Sequence, residues 1–224
     1  MRIDILTLFP EMFNGFISES IIKRAIENKK VEINIINFRD YTKLNNNQVD
    51  DTAFGGGAGM VIMCDPIVSA LEEIKTEDSL VILLDPKGKL YKQSMAVKYK
   101  DYKHLIFICG HYEGIDERIK NFVDEVVSIG DYVLTGGEIP AMAISDSIIR
   151  LLPGVITKQS LDSESFNEGL LDYPVYTKPR EYRGLEVPEI LLSGDHKKID
   201  EYRKNEAIRL TKENRPDLWE KYHE

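Results

Sequence analysis

Two glycine-rich loops, each following a short apolar run, place the strongest constraint on the fold of this chain. Residues 110–114 follow Leu105-Ile106-Phe107-Ile108, and residues 129–137 follow the apolar run at 122–127. Short apolar runs bounded by glycine are typical of buried strands, and loops after successive strands of α/β proteins are where ligands bind. Glycine-rich loops also serve as plain tight connections. From these residues alone, both interpretations remain open.

Strand and helix patterns alternate along the first 150 residues. Strands are predicted at 2–9, 31–38, 79–84, 105–108 and 122–127, and helices at 11–28, 65–74, 94–99, 115–120 and 139–151. This alternation favours an α/β fold with a mostly parallel sheet. Residues 39–60 show no periodicity and predict a long loop, and residues 85–88 predict a turn. After a polar segment at 157–167, predicted helices at 195–211 and 216–223 indicate a small all-α second domain.

Length and composition are those of an ordinary globular protein. The 224 residues are 42% apolar, enough for one medium domain with a small appendage. No apolar run approaches the roughly 18 residues of a membrane span. Cys64 and Cys109 are isolated thiols, which favours a reduced cytoplasm. The histidines and cysteines lack metal-ligand spacing, so no structural zinc is predicted.

The net charge of −9 argues against a nucleic-acid-binding protein, because phosphate contacts need lysine and arginine. The charge is unevenly distributed. From residue 173 onward, 11 basic residues balance 11 acidic ones, whereas the first 172 residues hold 18 basic against 27 acidic. Any RNA-binding surface must therefore be confined to part of the chain. The neutral C-terminal region is a more favourable place for it than the acidic first 172 residues.

Further motifs extend from the first ten residues to the last third of the chain. In order they are Leu8-Phe9-Pro10-Glu11-Met12-Phe13, Arg39-Asp40, Val49-Asp50-Asp51, Phe54-Gly55-Gly56-Gly57-Ala58-Gly59-Met60, the two loops above, Asp146-Ser147, Arg150, Pro153-Gly154, Ser165-Phe166, Gly169-Leu170-Leu171-Asp172-Tyr173-Pro174, Tyr176-Thr177-Lys178-Pro179 and Val187-Pro188-Glu189-Ile190-Leu191-Leu192-Ser193-Gly194. This series resembles the bacterial tRNA (guanine-N1)-methyltransferases, which methylate guanosine 37 beside the anticodon. The resemblance covers almost the whole chain.

The resemblance implies a fold, a cofactor and an assembly. The family is similar in fold to the SPOUT-class methyltransferases, whose parallel sheet carries a deep trefoil knot on its C-terminal side. It implies an S-adenosylmethionine-binding domain at 1–155, a flexible linker at 156–166 and a tRNA-binding helical domain at 167–224. It also implies a cytoplasmic homodimer with the active site at the interface and no membrane association. Some members need Mg²⁺, for which this sequence identifies no ligands.

The same resemblance implies the cofactor contacts. The loop at 85–88 and the two glycine-rich loops would hold S-adenosylmethionine in a bent conformation at one edge of the sheet. Glu113 would face the cationic methionine end, although it could also be a simple surface carboxylate on a turn. By position the contacts are Pro86, Gly110, Tyr112, Glu113, Ile129, Gly130, Asp131, Tyr132, Val133, Leu134, Gly136 and Gly137.

Three residues are candidates for catalysis. Arg150 matches a catalytic arginine of the family, which would stabilise the negative charge that develops on guanine O6 when the N1 proton leaves. The family shows Asp-Ser-Phe where this chain has Glu164-Ser165-Phe166, so Glu164 would be the general base with a side chain one methylene longer. Asp172 and Asp162 are the alternative bases. Arg150 could instead snorkel or form a surface ion pair, and Glu164 could be a solvated linker residue.

Two further patterns indicate no additional chemistry. The cluster Gly55-Gly56-Gly57-Ala58-Gly59 lacks the Gly-Lys-Ser/Thr ending of a phosphate-binding loop, so a substrate-facing loop is favoured over a nucleotide loop. Cys109 and His111 lie two residues apart, but methyl transfer to nitrogen needs no covalent enzyme intermediate.

Two alternative functions remain open: a knotted methyltransferase acting on another RNA, and a non-catalytic RNA- or nucleotide-binding module that has lost its general base.

Overall fold

The computed structural model describes residues 1–157, 164–166 and 169–222 of the chain. It divides the chain into two compact units, Met1–Ile156 and Thr157–Glu224. Most of the polar segment predicted as a linker, including the alternative base Asp162, lies outside the described residues.

The first unit is built on a five-stranded sheet in which every pair of neighbouring strands is parallel, as the sequence predicts. The strand order is β2-β1-β6-β5-β7. The strands are β1 (Arg2–Thr7), β2 (Glu32–Asn37), β5 (Ser79–Leu90), β6 (His104–Cys109) and β7 (Glu125–Ser128). Two more short strands, β3 (Asp50–Thr52) and β4 (Met60–Ile62), form a separate antiparallel pair.

Apolar side chains cover the sheet on both faces, which explains why its strands read as nearly continuous apolar runs. In β6, Leu105 and Phe107 pack on one face while Ile106 and Ile108 pack on the other. The helices of this unit are α1 (Asn14–Ser18), α2 (Ser20–Glu27), α3 (Cys64–Ile74), α4 (Gln93–Tyr99) and α5 (Glu138–Ile149). The face with Leu105 and Phe107 is covered by α2, α4 and α5, and the opposite face by α3.

The predicted turn at 85–88 lies inside β5, which is longer than predicted. The pairing of β5 with β7 shifts between Leu84 and Lys89, so the intervening residues bulge out of the ladder. Gly88 lies so close to the backbone of Val127 that a Cβ there would overlap it. This approach lets β5 continue alongside β7 after the bulge, a tertiary contact that leaves no signal in the local sequence.

Three other local predictions for the first unit need correction. The single helix predicted at 11–28 is a 3-10 turn (Pro10–Phe13) followed by α1 and α2, which are separated at Ser20 by a backbone φ of 55°. The predicted loop at 39–60 contains β3 and ends at the first residue of its partner β4. The helix predicted at 115–120 is a 3-10 helix, Glu117–Asn121, whose first turn is capped by the Asp116 side chain.

The second unit is not all-α, contrary to the prediction. It contains α6 (His196–Asn214) and α7 (Pro216–Tyr222), but also a hairpin of β8 (Glu181–Tyr182) and β9 (Leu185–Glu186). The hairpin turns through Arg183 and Gly184, which both have positive φ. Two-residue strands have too little periodicity to be found by pattern. None of the helices in the described part of the chain is both long enough and apolar enough to cross a membrane.

Candidate functional site

A cavity of about 320 Å³ opens in the first unit, where the loops after β6 and β7 meet the bulge of β5. Because these strands are parallel neighbours, the loops that leave β6 and β7 emerge at the same edge of the sheet. The site therefore follows from the strand order, which brings together segments that are far apart in sequence.

Eleven of the twelve residues that the resemblance identifies as cofactor contacts line this cavity; Asp131 does not. The lining also includes residues that the sequence analysis did not single out, among them Lys87, Thr135 and His111. The sequence places His111 beside Cys109 as a possible catalytic pair, and the resemblance names no cofactor contact at His111 itself. Its neighbours Gly110 and Tyr112 were predicted contacts, so its position in the loop was the signal that could have identified it.

The two glycine-rich loops are joined directly to each other. The Gly137 amide donates a hydrogen bond of 2.9 Å to the Gly110 carbonyl. A Cβ on Gly137 would lie 2.7 Å from Cys109 Cα, a distance that real Cβ atoms essentially never show. Glycine is therefore required at 137 by close backbone approach, since its φ of −82° is open to any residue.

The β3–β4 pair supports the first glycine-rich loop. Backbone hydrogen bonds join Glu113 N to the Met60 carbonyl and Ile62 N to the Gly114 carbonyl, at 3.1 and 2.9 Å. Gly59 lies against the Glu113 side chain and leaves no space for a Cβ. The glycine-rich segment that precedes β4 therefore shapes the loop that carries Glu113, and Phe54 at its start is fully exposed.

The cavity combines apolar walls with glycine backbone and charged side chains. Ile129 and Leu134 are half-buried, while the side chains of Tyr132 and Val133 are exposed at the rim. The charged lining residues are Asp85, Lys87 and Glu113. A site of this kind fits a flat apolar ring read by backbone groups, with a cationic group placed near a carboxylate.

The candidate catalytic residues are divided between the two units. Arg150 belongs to the first unit, where it caps the C-terminus of α5 and its amide donates to the Asp146 carbonyl. Glu164 and Asp172 both belong to the second unit and lie in neighbouring segments. The Asp172 amide donates to Ser165 Oγ at 2.9 Å, and the Phe166 amide donates to the Leu170 carbonyl at 2.8 Å. Two hydrogen bonds thus join the segment that carries Glu164 to the segment that carries Asp172.

Neither cysteine has the environment of a nucleophile. Burial, reinforced by the nearby Glu138 carboxylate, raises the pKa of Cys109 well above its ordinary value, and partial burial raises that of Cys64 to about 11. Residues 1–157, 164–166 and 169–222 contain no group of three or more His, Cys, Asp or Glu side chains able to hold a metal ion. The magnesium requirement suggested by the resemblance finds no support there.

Comparison with known proteins gives a consistent result over almost the whole chain. A family model described as tRNA (Guanine-1)-methyltransferase TrmD matches residues 1–221. A protein of Malacoplasma penetrans is 58% identical over 222 residues, covering 99% of this chain and 98% of its own. Proteins of Ureaplasma urealyticum and Staphylococcus aureus are 56% and 52% identical, each over 99% of this chain and over 98% and 92% of their own. All three are named tRNA (guanine-N(1)-)-methyltransferase.

Proposed function

The chain belongs to the tRNA (Guanine-1)-methyltransferase TrmD family, and from this premise we propose that it methylates N1 of guanosine 37 in tRNA with S-adenosylmethionine as donor. The main support for the proposal is the cavity beside β5, β6 and β7. Eleven residues expected to contact the donor line that one cavity, although they come from three separate segments.

The donor is held by three kinds of contact. Backbone groups of the two glycine-rich loops read the edge of the adenine ring, and Ile129 and Leu134 supply apolar walls. Glu113 faces the cationic methionine end, where a carboxylate stabilises an ammonium or sulfonium charge. Pro86 and the bulge of β5 close the remaining side.

The reaction requires guanine N1 to lose its proton and attack the methyl carbon. The electron pair of the breaking C–S bond returns to sulfur, which becomes a neutral thioether. Negative charge develops on guanine O6 as the proton leaves, and the Arg150 guanidinium stabilises it. A carboxylate of the second unit, Glu164 or Asp172, accepts the N1 proton.

Glu164 is our first candidate for this base, and Asp172 is the second. One Asp172 oxygen accepts a hydrogen bond of 2.7 Å from the Tyr173 amide, which orients that carboxylate. Alanine at the residue that serves as base should lower kcat by about 100-fold or more, the usual contribution of a general base. If Glu164→Ala keeps near-normal turnover while Asp172→Ala abolishes it, Asp172 is the base.

The assembly belongs to the same proposal: a cytoplasmic homodimer whose active site combines Arg150 of one subunit with the base of the other. Two inactive variants test this arrangement when they are co-expressed with different tags: Arg150→Ala, and alanine at whichever of Glu164 and Asp172 proves to be the base. Random pairing should restore about a quarter of the wild-type activity. About half of the dimers are then mixed, and each mixed dimer holds one intact site out of two. Mixed dimers without activity would contradict a shared site.

The trefoil knot is the remaining part of the fold proposal. It is supported by the close approach of segments that are far apart in sequence at the carboxyl edge of the sheet, Gly137 against Cys109 and Gly88 against Val127. Stretching the protein from its two ends should give a final contour length shorter than that of 224 extended residues. A full contour length would exclude the knot.

Methyl transfer from labelled S-adenosylmethionine to tRNA transcripts tests the function. A transcript with guanosine at positions 36 and 37 should gain label that is recovered as 1-methylguanosine, and a matched transcript with adenosine at 37 should not. Binding of the donor without transfer to either transcript would point to another RNA substrate. A protein that does not bind the donor at all would contradict the proposal.

A further inference from the structure

A buried carboxylate lies directly behind the cavity and has no place in the reaction described above. Glu138 is the first residue of α5 and is only 1% exposed. Its Oε1 atom accepts a hydrogen bond of 2.7 Å from Thr7 Oγ1 at the end of β1. Burial of a carboxylate is unfavourable unless hydrogen bonds or a charge compensate it, so its partners are informative.

The second carboxylate oxygen faces a residue of the cavity wall. Glu138 Oε2 lies 3.3 Å from His111 Nε2, at ion-pair distance. Neither atom makes an aligned hydrogen bond with any residue that the structure describes. A small rotation of the imidazole would turn this contact into a charge-assisted hydrogen bond, which is stronger than a neutral one.

The imidazole has little freedom to adopt other positions. Its ring packs against Phe9, with 4.4 Å between the ring centroids. On another side it lies against Gly136, where a Cβ would overlap both the imidazole and Glu138 Oε2. The Glu138–His111 contact therefore lies where the loop at 110–114 meets the end of the loop at 129–137, beside the hydrogen bond from Gly137 to Gly110.

We propose that Glu138, held by Thr7, is a positioning residue that fixes His111 in the cavity wall and locks the two glycine-rich loops in the arrangement that binds the methyl donor. The inference rests on the proposed function. Removing the carboxylate charge frees the imidazole and loosens Gly136, so affinity for the donor falls. Because Glu138 does not touch the reacting atoms, kcat at saturating donor falls less than KM for the donor rises.

The test measures binding of S-adenosylmethionine by calorimetry and separates KM from kcat. Glu138→Gln keeps the size of the side chain and an oxygen for Thr7, and should weaken donor binding about tenfold. Thr7→Val and His111→Gln should weaken it in the same direction. Thr7→Ser retains the hydroxyl and should bind the donor within about twofold of the wild type. The double variant Thr7→Val/Glu138→Gln should lose less affinity for the donor than the product of the two single fold-losses, because both changes act on one network.

Ser145→Ala is the matched control, since Ser145 is also buried on α5, also has an unpaired hydroxyl among the described residues and does not line the cavity. It should leave donor binding unchanged. If Glu138→Gln does not fold, Thr7→Val and His111→Gln still decide the question. Wild-type binding with undiminished affinity in these variants would overturn the inference, whereas a wild type that does not bind the donor would overturn the proposed function instead.

Discussion

At the scale of single residues, buried polar side chains at the amino end of the sheet join neighbouring strands. Asp4 and His104 are buried and joined by a contact of 3.0 Å between Asp4 Oδ2 and His104 Nε2. The other imidazole nitrogen lies 2.7 Å from Ser79 Oγ. Because these residues belong to β1, β6 and β5, one side chain ties three strands together.

Replacing His104 should destabilise the protein. Among the residues that the structure describes, His104→Ala leaves the buried Asp4 carboxylate with Arg2 and Asn34 as partners, and we expect a loss of about 2–3 kcal/mol in the free energy of unfolding. Urea denaturation measures it. The neighbouring Lys103→Ala removes an exposed pair with Asp78 and should leave stability nearly unchanged. Equal losses in both variants would contradict the role of burial.

The thiols should show the pH dependence of buried groups. With its pKa raised to about 11 by burial, Cys64 holds little thiolate near neutral pH, so its modification rate should rise about tenfold per pH unit between pH 7 and 9. Cys109 should stay unmodified until the protein unfolds, because it is buried. A chromogenic disulfide reagent measures both rates. A plateau near pH 8.5 for Cys64 would indicate an ordinary exposed thiol.

At the scale of elements, the site depends on how closely α5 approaches the end of β6. Gly137 precedes α5 and touches Cys109, the last residue of β6, while its amide is bonded to Gly110. The helix start and the strand end are therefore one rigid junction, and the loops on either side of it form the cavity wall. A side chain at 137 would push them apart.

We expect Gly137→Ala to lower the free energy of unfolding by about 1–3 kcal/mol, the usual cost of overpacking, and to weaken donor binding at least tenfold. Gly15→Ala is the control, because a Cβ there meets nothing within 4 Å inside helix α1. It should be neutral or stabilise by up to about 1 kcal/mol. Thermal denaturation and calorimetric binding of S-adenosylmethionine give both quantities. Undisturbed binding in Gly137→Ala would show that the junction is not tight.

At the scale of the whole molecule, the chain combines a net charge of −9 with an RNA substrate. The acidic excess lies in the first 172 residues, so RNA contacts are expected in the C-terminal part. There, exposed aromatic rings occur beside cations. Arg183 at the tip of the β8–β9 hairpin lies 5.3 Å from the centroid of the exposed Tyr182 ring, an arrangement suited to stacking on unpaired bases.

Arg183→Ala should weaken tRNA binding about three- to tenfold and reduce its salt dependence, without changing affinity for S-adenosylmethionine. Arg209→Ala is the matched control, because Arg209 is already paired with Glu206 and Glu213. Its effect on tRNA binding should be smaller. Filter binding at several salt concentrations distinguishes the two variants, and equal effects would argue against the hairpin as an RNA contact.

The sequence by itself determined the elements whose local pattern is strong. The apolar run around Phe107 predicts a buried strand because side chains on both faces are apolar, and the structure confirms β6 and the parallel sheet. The family was recognisable from the order of motifs along the chain, such as residues 110–118 and 129–140. The candidate catalytic roles of Arg150, Glu164 and Asp172 come from that resemblance and stay predictions.

Only the tertiary structure decided the remaining features, because they depend on contacts between residues far apart in sequence. Ser20 breaks the first helix, and the two-residue strands of the β8–β9 hairpin are too short for any period to register. The bulge of β5 depends on Gly88 passing Val127. Glu138 reads in the sequence as an ordinary acidic residue at a helix start. It becomes a buried partner of Thr7 and His111 only when β1, the loop after β6 and α5 pack together. That packing excludes water from the carboxylate, so its oxygens contact Thr7 and His111 instead of solvent.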